Sequence, residues 1–298
     1  MSTAAIAFQP RSRTRLGGAV RSELLKLRRQ RLTWVLAALV AVSAVVMAIL
    51  FLGSSNTHAQ FLHDPLGLYF TYLTACQTVF DCCGGIFLLA LSARLVGMEY
   101  SSGAIRIVLG RGTSRLGLLA AQLVALVVAG LLLLVAFSLV CAAILAGAVL
   151  AWHGSLSTLT SLPRAAWTDT GVCGAVALVS IGVCTLIGAA ASAVGRSVSI
   201  GLGVALALFP ADNLGTIVMN LIGHVTHQSV WAQAPHWFLG PTLNQLAATL
   251  QTDHPAPVLL ITALGTASAS HLWTVIGIWA AGMALATFLL TWRRDVLE

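Results

Sequence analysis

The chain has 298 residues, of which 58% are hydrophobic and only 8% charged, with a mean hydropathy of +0.92. Soluble domains carry about 25% charged residues, so a water-soluble globule is excluded and lipid is the solvent for most of the chain. The formal charge of +7 is not a nucleic-acid footprint. Its positive residues cluster beside apolar runs, as orientation signals do, and no basic groove with interleaved aromatics accompanies them.

Residues 1–14 show no apolar periodicity and are expected to form a disordered basic tail. Over 15–31 the pattern changes. Leu16, Val20, Leu24 and Leu27 recur at helical spacing while Arg21, Lys26 and Arg28 take other faces, which predicts a basic amphipathic helix in the inner headgroup layer. Such a helix anchors the chain to lipid, or also presents a surface to a cytoplasmic partner.

About 20 apolar residues cross about 30 Å of hydrocarbon. Six runs meet that length, near 32–52, 72–95, 116–148, 171–194, 198–222 and 271–292. The first is too long for a secretory signal and follows a charged segment. The predicted fold is therefore an all-α polytopic membrane protein with a single six-span domain over 32–298. An even number of spans puts both termini on one side. With that side cytoplasmic, every Lys and Arg except Arg164 faces inward and all eight histidines fall at or beyond the outer half, in accord with the positive-inside rule.

Between the second and third spans, residues 94–115 are too polar for lipid and too short for a domain. Glu99, Gly103, Arg106 and Arg115 alternate with Ile105, Val108 and Leu109, consistent with a short amphipathic helix across the mouth of two spans or with a solvated connector. The third span stays apolar for more than 30 residues and must tilt or protrude. The fourth carries Gly182, Gly188, Ala189, Ser192 and Gly195, small residues that favour close helix packing. Pro210, Asp212 and Asn213 are expected to break the fifth run, with short re-entrant or interfacial helices following on the outer side.

Catalytic signals are absent. Lys26 is the only lysine and lies in LLKLRR, so no GxxxxGK[ST] phosphate loop exists, and the three glutamates (Glu23, Glu99, Glu298) form no HExxH or paired site. The six cysteines fall in apolar runs without ligand spacing and read as small buried hydrophobes, so neither a metal nor a cofactor is expected in this chain. Asp81 and Asp212 lie within apolar runs, where an acid costs roughly 2.5–3.5 kcal/mol on insertion scales, so each must face protein or water. They line a polar path, bind a cationic group or relay a proton; alternatively they fix packing, with Asp212 capping the helix segment after Pro210.

SELLKLRRQRLTW leading into the first of six spans, followed by Glu99, Gly103, Arg106, Leu109 and Ser114-Arg115 before a long third span, resembles the permease subunits of type-2 ABC exporters. The terminal TWRRDVLE is similar too, whereas Ala104 and Gly110-Arg111-Gly112 depart from the usual Thr and proline. The resemblance implies a multi-pass permease of a bacterial-type plasma membrane, forming half of an export pathway for a drug, peptide antibiotic or lipid. It implies a second copy as a homodimer and two copies of a separate ATP-binding cassette subunit, which would carry the ATP and magnesium. Glu23, Glu99, Gly103, Arg106, Arg111 and Arg115 would couple to that subunit. Since the second and fifth spans line the central interface in this family, Asp81, Asp212 and Asn213 would lie on the substrate path or dimer interface. A different class of function, a proton-coupled carrier relaying through Asp81 and Asp212, is the competing expectation.

Overall fold

A computed structural model describes residues 16–101, 114–251 and 267–293. All secondary structure among these residues is helical, and six helices are long and apolar enough to cross a membrane. Helix α1 (Leu16–Arg29) precedes the first span, α2 (Arg31–Leu52), and a short helix α3 (Ser55–His63) follows it. The second span is α4 (Pro65–Val79), a π-helical turn (Phe80–Gly84) and α5 (Gly85–Ser101). The third span is α6 (Arg115–His153), separated by the single turn α7 (Ser157–Thr160) from the fourth, α8 (Arg164–Gly195). The fifth span, α9 (Val198–Thr226), leads through α10 (Ser229–Gln233), a 3₁₀ turn (Ala234–Trp237) and α11 (Leu239–Leu250) toward the sixth, α12 (Ala269–Arg293). Short helices thus occur between the fifth and sixth spans.

Local chemistry sets the boundaries. The second span starts seven residues earlier than its apolar run because Asp64 accepts from the Gly67 amide at 2.9 Å and Pro65 occupies the first helical position, where its missing N–H is harmless. Ser114 caps the third span by accepting from Gly117 N at 3.0 Å. The third span then runs 39 residues, about 58 Å at 1.5 Å per residue and well beyond the hydrocarbon thickness. Its far end is held by Trp152, whose ring lies 5.5 Å from His58 and 5.4 Å from Phe61 of α3.

The fifth span does not break at Pro210. It continues to Thr226 and ends at His227, which adopts a left-handed conformation (φ 55°) and donates its amide to the Gly223 carbonyl. Proline frees one carbonyl, but in an apolar surrounding no water competes for the remaining ladder, so the helix persists.

The second and fourth spans are the enclosed pair, and the first, third, fifth and sixth surround them with largely exposed outer faces. Helices α5 and α8 approach closely enough for side-chain hydroxyls to reach the facing backbone: Ser92 Oγ donates to Thr185 O and Ser192 Oγ to Ala93 O, both at 2.7 Å. Gly188 makes this possible, since a Cβ there would stand 2.6 Å from the Leu89 carbonyl oxygen. Ala189 and Ser192 are fully buried at the same contact, whereas a Cβ at Gly182 meets nothing within 4 Å. All six cysteines are free thiols.

Antiparallel succession of the spans gathers α1 and the ends of α5 and α8 at one end of the bundle, with the starts of α6 and α9. That end carries the described arginines except Arg164 and is called the basic end. Every described histidine lies in or beside α3, α10 or the opposite helix termini, at the histidine end.

Candidate functional site

Helix α1 docks at the basic end against the third span. Leu27 is buried, Val20 and Leu24 are half-buried, and Leu16 is exposed. Apolar periodicity misses the most enclosed polar member of that face: Glu23 is 2% exposed. Its carboxylate is met by Lys26, whose Nζ donates to Glu23 Oε1 and to Glu99 Oε1, each at 2.7 Å. Glu99 sits in the last described turn of the second span and is 7% exposed, while the Lys26 side chain is 43% exposed. One ammonium thus ties α1 to the end of the second span across 73 residues of sequence.

The charge count is uneven. Among the described residues, two carboxylates share one lysine, and the second oxygens, Glu23 Oε2 and Glu99 Oε2, are buried without a hydrogen-bond partner. Burial pushes the Glu23 carboxyl up, and neighbouring Glu99 adds to this, although Lys26 opposes it. For Lys26, burial pulls the ammonium down but the hydrogen bonds and charges of Glu23 and Glu99 outweigh it, leaving the group above its ordinary value. A further bond orients the entry to the first span, from Trp34 Nε1 to the Arg28 carbonyl at the end of α1, at 2.9 Å.

Of the residues assigned to partner coupling, Glu23 and Glu99 are brought together. Arg115 opens the third span at the same end. Gly103, Arg106 and Arg111 lie outside the described residues. Sequence reasoning omitted Lys26, although its being the only lysine, three residues after Glu23 on a helix, was a usable signal.

Asp81 lies in the π turn of the second span and is 0% exposed, inside this chain rather than on an open face. Its Oδ2 accepts from Gln77 Nε2 at 2.8 Å. Ser180 of the fourth span lies beside the carboxyl, yet Oδ1 has no hydrogen-bond partner among the described residues. A π turn with a buried, half-satisfied acid is a feature often found at functional positions. Asp212, half-buried on the fifth span, accepts from the Gly240 amide at 2.8 Å. It therefore caps α11, a helix 28 residues away, rather than a segment of its own helix. Asn213 occupies the next position in α9. Gln77, one helical turn before Asp81, was within reach of helical spacing, whereas Ser180 and Gly240 are brought near only by helix packing and the chain reversal after His227.

Beside this polar pair lies a cavity of about 340 Å³ between the second, third and fourth spans, with Gln77 and Phe80 in its wall. No group of metal-ligating side chains occurs among the described residues.

A family model described as ABC-2 family transporter protein matches residues 19–211, which include most of α1, the first four spans and the start of the fifth. No curated protein matches the chain. The chain belongs to the ABC-2 transporter family. It is accordingly a multi-pass plasma-membrane protein and the membrane component of an ABC transporter, a family whose members work with an ATP-binding subunit and are not themselves catalytic.

Proposed function

We propose that the chain forms half of the translocation pathway of an ATP-driven exporter, with its basic end in the cytoplasm. A second copy completes the pathway, and two ATP-binding subunits, carrying the ATP and magnesium, dock beneath. They press on α1 and on the 99–115 segment, with Glu23, Glu99, Gly103, Arg106, Arg111 and Arg115 at or near the contact. The observation that carries this reading is the Lys26 bridge: displacement of α1 is transmitted through one ammonium to the end of the second span. That span is enclosed by its neighbours and carries the π turn with Asp81. The substrate is an apolar or cationic compound, a drug, peptide antibiotic or lipid. Asp212 and Asn213 belong to the path or the dimer contact, and Asp81, enclosed within the chain, supports the path from behind.

The proton-relay reading draws no support from Asp212, whose carboxylate is engaged in capping α11. The test is Lys26→Met in the assembled complex. Leaving two buried carboxylates unpaired is expected to destabilise α1 docking by about 2 kcal/mol, below the roughly 3–5 kcal/mol of a fully buried pair because Lys26 is partly exposed. Substrate-stimulated ATP hydrolysis should fall severalfold while basal hydrolysis by the ATP-binding subunit persists. Unchanged stimulation, or gradient-driven transport by the purified chain alone, would overturn the proposal.

A further inference from the structure

We propose that the cavity between the second, third and fourth spans binds a membrane phospholipid, its acyl tail entering sideways between α6 and α8 and its phosphate resting at Arg164. The shape comes from helix divergence. At Gly130 the third and fourth spans are in contact, for a Cβ there would stand 2.7 Å from Ile181 Cγ2 and 3.1 Å from Leu88 Cδ2. Toward the histidine end they part, and the gap is walled by Tyr72, Cys76, Phe80, Phe137 and Leu145. Its volume of about 340 Å³ is within the range of small-molecule sites.

What such a space takes is decided by its walls. Tyr69 Oη and Thr170 Oγ1 lie 2.7 Å apart, and Thr170 donates in turn to Ala166 O, so the tyrosine is the donor of that pair. Tyr72 Oη donates to the Cys141 carbonyl and Gln77 Nε2 to Asp81. These polar groups are already engaged, which leaves water, needing 2–4 polar partners, with little to hold it. The aromatic and aliphatic surface offers dispersion contacts to a hydrocarbon instead.

The mouth explains the source. Ser138 and Ala142 of α6 and Trp167 of α8 border the cavity and are exposed. Ser138 and Ala142 lie on the same outer side of the third span as exposed Leu139 and Val135, the face that meets lipid. At Gly174 a Cβ would meet nothing within 4 Å, so the opening is bounded by small residues on both sides. Arg164 and Trp167 stand three residues apart at the start of α8 and share a helix face. Together they place a cation and an interfacial ring above the mouth, beside a helix N-terminus that favours phosphate. Arg164 is also the one arginine or lysine at the histidine end among those described, so its departure from the charge pattern acquires a role.

The test uses the full chain in phosphatidylethanolamine and phosphatidylglycerol vesicles doped with a phospholipid bearing a diazirine at its tail end. Photolysis is expected to mark wall residues such as Leu73, Phe137 and Leu145 as well as the outward Leu132 and Leu139. Gly174→Leu and Ala142→Trp, two independent fillings of the mouth, should each reduce wall labelling roughly tenfold while outward labelling and monodisperse elution persist. Arg164→Gln should lower labelling by the phospholipid severalfold more than labelling by a diacylglycerol with the same tail. Outward labelling alone in the native chain, or wall labelling undiminished in both filled variants, would overturn the site. Equal effects of Arg164→Gln on the two probes would overturn the phosphate contact. Wall labelling only by a small photoreactive aromatic compound would overturn the lipid in favour of a free apolar ligand.

Discussion

Lys26 faces two carboxylates with a single charge, and the imbalance gives α1 an unusual dependence on pH. Glu23 binds its proton more tightly when docked than when free, chiefly because burial penalises its charged form. The docked state therefore gains stability as pH falls from the raised value toward 4.5, and loses that gain as pH rises. Lys26, held above 10.5, contributes fully below that value and is lost only as pH climbs through its raised pKa. A spin label at Arg21→Cys is thus expected to be less mobile at about pH 5 than at neutrality, and to become free in strong alkali. A salt bridge that simply ruptured on protonation of Glu23 would give the reverse order at the acid end. The two glutamates were candidates in the sequence through the family resemblance of the segments that carry them. Their meeting at Lys26 was not, since it depends on α1 folding back beside a span that ends 73 residues later.

At the level of elements, helix existence followed from apolar length, while helix ends followed from caps outside the apolar runs, such as Asp64 and Ser114. The small residues of the fourth span are not equivalent. Gly188→Ala would drive a methyl against the Leu89 carbonyl at 2.6 Å, and a loss of roughly 1–3 kcal/mol is expected. Gly182→Ala meets open space and, in a helix interior, should be neutral or stabilising by up to about 1 kcal/mol. Thermal unfolding in detergent compares the two directly; equal effects would contradict the close approach of α5 and α8. For the fifth span, Asp212→Ala removes the acceptor for the α11 amide at Gly240 and should cost about 1 kcal/mol. The local signature would be faster proteolysis or hydrogen exchange over 229–250, with the fifth helix itself unaffected. The sequence allowed a capping role for this acid but pointed to the wrong helix, because a capping side chain normally lies next to the helix it caps.

Across the whole molecule, the contrast between spans has a functional direction. The fifth span leaves Leu214, Ile217 and Leu221 exposed, whereas the second is surrounded by its own chain. If a second copy completes the pathway, the fifth span is the face with surface to give. Disulfide trapping between copies should then be severalfold faster for Leu221→Cys or Leu214→Cys than for Leu132→Cys on the third span. Equal rates would mean that the copies do not meet there.

Composition, run lengths and charge clustering by themselves determined that this is a six-span helical membrane protein, because transfer of apolar surface and of charge between water and lipid is fixed residue by residue. The spacing around Glu99 was enough to suggest the family. Which acids are paired, which are left half-satisfied, where Asp212 is engaged, and the parting of α6 from α8 beyond Gly130 were decided only by the tertiary structure. Those properties are distances between residues far apart in the chain, and helix packing alone sets them.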